Sequence, residues 1–327
     1  MPRLRWGLLS TARINRAVIP AIRASARSEL TTVASRAPDV ARAYAKEWAI
    51  PRALGSYEAL VDDPDVDILY IPLPNHLHVE WTVRALDAGK HVLCEKPLAL
   101  TVEDVDRIAE ASRRSGKAAA EAFMYRHHPL THAAQAFAAG GRLGTIRICR
   151  GAFTFALTRP GDVRLDPVMG GGSLWDVGCY PLSYANLIAN AAPKEVVGWQ
   201  RTSDRGIDME FFAMMRYADG SVAQFDSGFA GPFRAEMEVV GDGGTLRIHR
   251  PFKTDENSRL EFTAATDEIE AVPFAPDTAY SGEIADMEAA ALDGTAPRVS
   301  LAESRRNVRT ILALYESARL GRPVDLR

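Results

Sequence analysis

The chain is poor in cysteine, with only Cys94, Cys149 and Cys179 among its 327 residues. An odd, widely spaced set with no C-x-x-C pair supports neither a disulfide framework nor a zinc site, and it suits the reducing cytoplasm. Long apolar runs are missing as well. The longest uncharged tract, Val177 to Pro193, contains Pro181, Asn186 and Asn190 and falls short of a spanning helix, so no membrane partner is expected. Arg13 and Arg16 cut the apolar stretch at the start, which therefore does not read as a signal peptide. There is no excess of one charge: 39 basic against 42 acidic residues give a net −3, with the basic ones dispersed. That balance argues against nucleic acid as a partner. No internal repeat, low-complexity segment or Pro/Gly/Ser-rich linker interrupts the sequence.

What is present is a length beyond the usual single core, with 47% hydrophobic residues to fill two. In the first third, short apolar runs alternate with amphipathic ones. The strand-like segments are 4–10, 29–35, 67–73, 91–95 and 117–123, and helices are expected at 12–24, 39–48, 76–88 and 101–115. Such a β-α series builds a parallel sheet covered on both faces. The segments "DAGK" and "RSGK" each put a glycine just past a helix end, where a left-handed cap costs little. Beyond residue 144 the texture changes to long strand-like runs joined by Asp-Gly turns, which are hairpin signals. A helical insertion near Ser173 and helices over 280–292 and 301–320 complete the reading.

The first strand ends in "GLLSTARI", where Gly7, Ser10 and Ala12 occupy a tight turn before a helix. Small residues at such a turn let a pyrophosphate approach backbone N–H groups, although the strict G-x-G-x-x-G template is not met. The second strand ends in Ser35-Arg36 rather than in a carboxylate. A hydroxyl beside a guanidinium would bind a 2′-phosphate through charge-assisted hydrogen bonds, which favours NADP over NAD. Pro72 and Pro74 stiffen the next connection and leave Asn75 and His78 to face a cofactor or to cap the helix. His76 and His78 lack matched acidic or cysteine ligands, so no metal is expected.

Gly7-x-x-Ser10-x-Ala12, "PNHLH", "AGKHVLCEKP", "EAFMYRHHP" and "GGGSLWDVGCYP" occur in an order and spacing that resemble the Gfo/Idh/MocA family of NAD(P)-dependent oxidoreductases, over about residues 4 to 250. The branch they resemble most contains NADP-dependent D-xylose and trans-dihydrodiol dehydrogenases. The resemblance implies an α/β chain: an N-terminal Rossmann parallel sheet over 1–122, then a C-terminal α+β domain over 123–327 with a large, mainly antiparallel open sheet. It also implies cofactor contacts from Gly7, Ser10, Thr11, Ala12, Arg13, Ile14, Ser35, Arg36, Leu73, Pro74, Asn75, His78 and Glu95, with Lys96 beside the nicotinamide. Ser10 and Ala12 depart from the glycines common in relatives. Tyr180 stands where many have histidine.

The chemistry expected is hydride exchange between the cofactor and a sugar or cyclic polyol, which requires a group to take or give the hydroxyl proton. Asp176 and Tyr180 stand four apart and share a face if helical. A phenol with pKa near ~10 is a weak base, but an ammonium ~4 Å away at an effective dielectric of ~20 supplies roughly 4 kcal/mol. That lowers the phenol by up to ~3 units before desolvation subtracts. Tyr180 is therefore the expected proton carrier, Lys96 its electrostatic partner, and Asp176 an acceptor for a sugar hydroxyl or for Lys96. Trp175, Arg126, His127 and His128 are the expected pocket residues, with histidine the second choice as proton carrier. Arg159, Asp162 and Arg164 belong to a loop that either covers the site or is ordinary solvated charge. Rival readings are a keto-sugar or anhydro-sugar reductase, a dihydrodiol dehydrogenase, or a non-catalytic sensor on the same scaffold. The open sheet face is the expected surface for a homodimer or higher homo-oligomer.

Overall fold

The structure is a computed structural model that describes residues 3–326. In chain order the first part runs β1 (Leu4–Leu9), α1 (Asn15–Ala24), β2 (Ser28–Ala34), α2 (Pro38–Glu47), β3 (Arg52–Leu54), α3 (Tyr57–Val61) and β4 (Ile68–Ile71), then α4 (His78–Asp87), β5 (His91–Glu95), α5 (Val102–Ser115) and β6 (Ala119–Ala122). The chain continues through α6 (Pro129–Ala139), β7 (Ile146–Thr154), a π-turn at Leu174–Gly178, α7 (Cys179–Ala189), β8 (Glu195–Thr202), β9 (Asp208–Arg216) and β10 (Val222–Gly228). It ends with β11 (Arg234–Gly241), β12 (Gly244–His249), β13 (Arg259–Ala264), β14 (Ile269–Ala271), α8 (Ser281–Leu292), α9 (Leu301–Leu320) and β15 (Val324–Asp325).

These elements gather into two units: residues 1–127 with 280–305, and residues 128–279 with 306–327. The segment 280–305, assigned from sequence to the second domain, packs with the first. In the first unit six parallel strands take the order β3-β2-β1-β4-β5-β6. The order reverses between β1 and β4, and in sheets of this kind ligands bind beyond the strand ends at that point. Every residue of β4 and all but the last of β5 are buried, as expected for strands covered on both faces. Trp6, Leu8, Tyr70 and Leu93 form the core together with Ile284 and Met287 of α8. Polar groups inside this core are satisfied in series: the Trp6 indole donates to Ser28 Oγ at 2.8 Å, and that hydroxyl donates to Glu288. The two glycines that follow α4 and close α5 adopt the left-handed conformation, Gly89 at φ +77° and Gly116 at φ +68°.

The second unit is built on a nine-stranded sheet in the order β14-β13-β12-β11-β7-β10-β9-β8-β15. All neighbours are antiparallel except β7 and β10, which run parallel. One face buries Phe211, Ala213, Met215 and Met237 and carries α7. The approach is close: a Cβ on Gly151 would lie 2.8 Å from Pro181 and 2.3 Å from Met237 Sδ. The opposite face is open. Trp199 and Phe212 pair across strands there, with Met214 beside them, and all three are exposed. Farther along, Glu238 accepts from Arg150 at 3.0 Å and meets Arg247 at 3.3 Å.

Candidate active site

Gly7, expected in the turn, lies inside β1 instead. A Cβ on Gly7 would come within 2.9 Å of Leu60 and Leu69, so the strand needs glycine there for packing. Ser10 sits at φ +145°, a conformation glycine adopts freely and serine does not. Two hydrogen bonds hold it: Asn15 Nδ2 donates to its carbonyl at 2.8 Å, and its hydroxyl accepts from the Ala12 N–H at 3.2 Å. Thr11, Ala12, Arg13 and Ile14 form a turn and α1 begins only at Asn15, three residues later than expected. Arg13 is exposed, while Thr11, Ala12 and Ile14 are half-buried.

At the end of β2, Ser35 is half-buried and Arg36 exposed. The guanidinium works on the hydroxyl of Tyr57, whose pKa is raised by burial first and pulled back by Arg36. Tyr57 is a neighbour that sequence reasoning missed. It is also held edge-on against Trp81, with ring centroids 5.3 Å apart.

The sharpest geometry lies around the Glu95-Lys96-Pro97 segment, where the Lys96–Pro97 peptide is cis. Glu95 closes β5, Lys96 follows it, and both are half-buried. The Tyr70 hydroxyl donates to Glu95 Oε1 at 2.5 Å. Behind them Glu121, at 3% exposure, accepts from the Leu98 N–H at 2.9 Å through Oε1 and from the Ser304 hydroxyl at 2.6 Å through Oε2. Burial raises the Glu121 pKa, while Ser304, Leu98 and the Lys96 charge pull it down. The Lys96 charge also reaches His78, whose pKa is lowered chiefly by burial.

His78, expected to face a cofactor or to cap the helix, is turned inward. It is fully buried, with Nε2 2.7 Å from the Leu73 carbonyl and Nδ1 2.7 Å from the Pro97 carbonyl. Its ring thus straps the end of β4 to the lysine segment. Asn75 and Pro74 are half-buried, and a short 3-10 turn at Asn75–Leu77 precedes α4, whose start has no side-chain cap.

Each of three expected pocket residues has a contact within its own unit. Arg126 is buried and donates to Glu303 Oε1 at 3.0 Å. His127 is buried with Nδ1 4.0 Å from Asp286. His128 caps α6, its Nδ1 accepting the Leu130 N–H at 3.1 Å while Nε2 lies 3.2 Å from the Asp277 carbonyl. That pair of contacts suits the neutral tautomer with the proton on Nε2, in keeping with a pKa lowered by burial.

In the second unit Trp175 and Asp176 lie on the π-turn and Tyr180 in the first turn of α7. The four-residue spacing therefore crosses from a π into an α winding instead of running along one helix. Tyr180 is 6% exposed and packs edge-on to Phe153, with centroids 5.3 Å apart. Asp176 accepts from Arg164 Nε at 2.6 Å, and Arg164 also reaches Asp162 at 3.2 Å. Asp162 and Arg164 thus hold the loop to the turn. Trp175 is buried against Tyr315, at 6.0 Å between centroids. Among the described residues no group of three metal-ligating side chains forms a metal site.

Two family models cover most of the chain. One described as an oxidoreductase family with an NAD-binding Rossmann fold matches residues 4–123, and one described as the GFO/IDH/MocA C-terminal domain matches residues 131–247. The chain is 38% identical over 326 residues to a D-xylose 1-dehydrogenase (NADP(+)) of Haloferax volcanii, covering 99% of this chain and 100% of the relative. It superposes on an aldose-aldose oxidoreductase from Caulobacter crescentus, complexed with glycerol, with a TM-score of 0.92 at 27% identity, covering 99% and 100% of the two chains. A 3-ketoreductase from Actinomadura kijaniata in complex with NADP and TDP-benzene gives a TM-score of 0.90 at 31% identity, covering 96% and 98%.

Proposed function

From the premise that the chain belongs to the GFO/IDH/MocA family of oxidoreductases, we propose that it transfers a hydride between NADP and a hydroxyl-bearing carbon of a sugar or cyclic polyol. An aldose such as D-xylose is the favoured substrate, given the full-length similarity to a D-xylose dehydrogenase. The observation that carries the reading is Lys96: it directly follows β5, the strand beside β4 at the switch point, and its charge bears on both His78 and Glu121.

The residues present fit the dinucleotide. A constrained turn follows β1, and an exposed guanidinium follows β2 with no carboxylate at 35 or 36 to repel a 2′-phosphate. NADP, when bound, supplies the hydride acceptor or donor. In the oxidative direction the substrate hydroxyl gives its proton to the Tyr180 oxygen as its carbon gives up hydride. Lys96 supplies the positive charge that favours this transfer and orients the hydroxyl, and Glu95, fixed by Tyr70, is the neighbouring carboxylate. Asp176, itself held by Arg164, accepts from a second substrate hydroxyl.

A second reading, reduction of a keto-sugar, is favoured by the likeness to the 3-ketoreductase. Self-association through the open sheet face belongs to the proposal too, since Trp199, Phe212 and Met214 make an apolar patch beside a charged ladder. Among the described residues no helix is long and apolar enough to cross a membrane, and the three buried cysteines, with no disulfide among the described residues, suit the cytoplasm.

The test is a panel of aldoses, inositols and keto-sugars followed by NADPH absorbance in both directions, with wild type and Lys96→Ala. The variant is expected to lose on the order of 100-fold or more in kcat while binding NADPH nearly as well. A panel without turnover, or a variant that keeps most of it, would overturn the reading.

A further inference from the structure

The π-turn that carries Trp175 and Asp176 is an uncommon winding, and such turns persist where the surroundings hold them. One buried carboxylate stands at its start. Asp208, 3% exposed at the head of β9, accepts from the Leu174 N–H at 2.7 Å and from the Ser173 hydroxyl at 2.8 Å through Oδ2. Through Oδ1 it accepts from the Tyr315 hydroxyl at 2.7 Å. These donors come from the turn itself and from α9, with 107 residues separating Asp208 from Tyr315. Burial raises the carboxyl above its ordinary pKa, against the pull of Tyr315, Leu174 and Ser173.

The backbone is shaped around this group. Gly172 sits at φ +127°, and a Cβ there would lie 2.2 Å from Asp208 Oδ1 and 2.9 Å from the Tyr315 oxygen. At the other end of the turn a Cβ on Gly178 would lie 2.8 Å from both Ser227 Oγ and Leu174 Cδ1. Both ends are thus pinned by close approach, one on a carboxylate and one on β10. The segment between them leads straight into Tyr180.

We propose that Asp208 is a positioning residue: by anchoring Ser173 and Leu174 it selects the π winding, and through it the aim of Asp176 and Tyr180. The proposal rests on the catalytic reading of that pair. Glycine at 172 and 178, serine at 173 and tyrosine at 315 then form one device, in which small residues open the space and donors fill the carboxylate's lone pairs. An amide in place of the carboxylate has one acceptor oxygen and cannot serve all three donors.

The test uses Asp208→Asn, with Tyr315→Phe and Ser173→Ala as milder variants that each remove one donor and keep the carboxylate. Hydrogen exchange of peptides covering residues 173–182 reads the anchor directly. The expectation is at least tenfold faster exchange there in Asp208→Asn, with β7 and β10 unchanged. Kinetics read the consequence: kcat falls at least tenfold, NADPH affinity stays within about twofold, and the pH profile of kcat/KM is displaced because the phenol's surroundings change. A generally weakened fold would speed exchange everywhere and leave the profile of the surviving activity in place. If Asp208→Asn does not fold, the same local exchange and profile changes, smaller in size, are expected in the two milder variants. Unchanged exchange at 173–182, or an unmoved profile in folded variants of an active enzyme, overturns the proposal. Wild type that turns over nothing in the panel counts against the assigned reaction, while local exchange still decides the anchor.

Discussion

Glu283→Gln should stabilise the protein, by an amount that grows with pH. Glu283 lies in the first turn of α8 at 1% exposure, and among the described residues neither carboxylate oxygen has a hydrogen-bond partner. Burial first, then the charges of Glu95 and Asp286, raise its pKa well above the ordinary glutamate value. The helix N-terminus favours an anion by only ~0.3–1 kcal/mol, too little to offset that desolvation. The folded protein therefore keeps this proton to a higher pH than the unfolded chain, whose glutamate pKa is ~4.3. When the folded form binds more protons, stability falls as pH rises above the unfolded value. Over the range in which the folded form keeps the proton and the unfolded chain has lost it, each pH unit costs about 1.4 kcal/mol. Glutamine keeps the shape and the unmet hydrogen bonds but carries no such cost. At roughly 2–4 °C per kcal/mol, the gain in Tm should widen by about 3–6 °C for each pH unit across that range. Thermal melts followed by circular dichroism at pH 5, 6 and 7 measure it. Melting curves separated by the same interval at all three pH values would refute the argument.

Two further outcomes follow from sites described above. Ser35→Asp combined with Arg36→Ile should move preference from NADP toward NAD by about tenfold or more, since a carboxylate repels a 2′-phosphate and accepts from ribose hydroxyls; an unchanged ratio of kcat/KM values would remove Arg36 from the phosphate pocket. Phe212→Asp, at the centre of the exposed apolar patch, should lower the mass seen by light scattering toward that of one chain while leaving the melting temperature within a few degrees. An oligomer that survives it does not use this face.

The parallel sheet was legible because buried strands leave continuous apolar runs, and β5 lies at 91–95 as the sequence indicates. The helix α3, five residues long, and the three-residue β3 give too short a pattern to register. The helix α6 went unread because "PLTHAAQAFAA" is rich in alanine and has no sharply polar face. Lys96 could be singled out from its motif, whereas its supports could not. Tyr70 meets Glu95 across 25 residues and Ser304 meets Glu121 across 183, distances over which local pattern carries no information. One signal was available: Glu121 is the only charge in "AAAEAF", and a lone carboxylate in an apolar strand must find partners. Arg126 and His127 likewise meet partners far along the chain, Glu303 and Asp286, that no local pattern marks.

The dependence of the first unit on α8 also sets a timetable for synthesis. Trp6, Tyr70 and Ser28 emerge from the ribosome early, yet Ile284, Met287 and Glu288, which cover and satisfy them, are made only after eight of the nine strands of the second sheet. At 5–20 residues per second the wait is on the order of ten to thirty seconds. Throughout it the nascent nucleotide-binding half carries an uncovered apolar seam, which makes it a natural client for a chaperone and a poor candidate for expression as a fragment ending at Ala122.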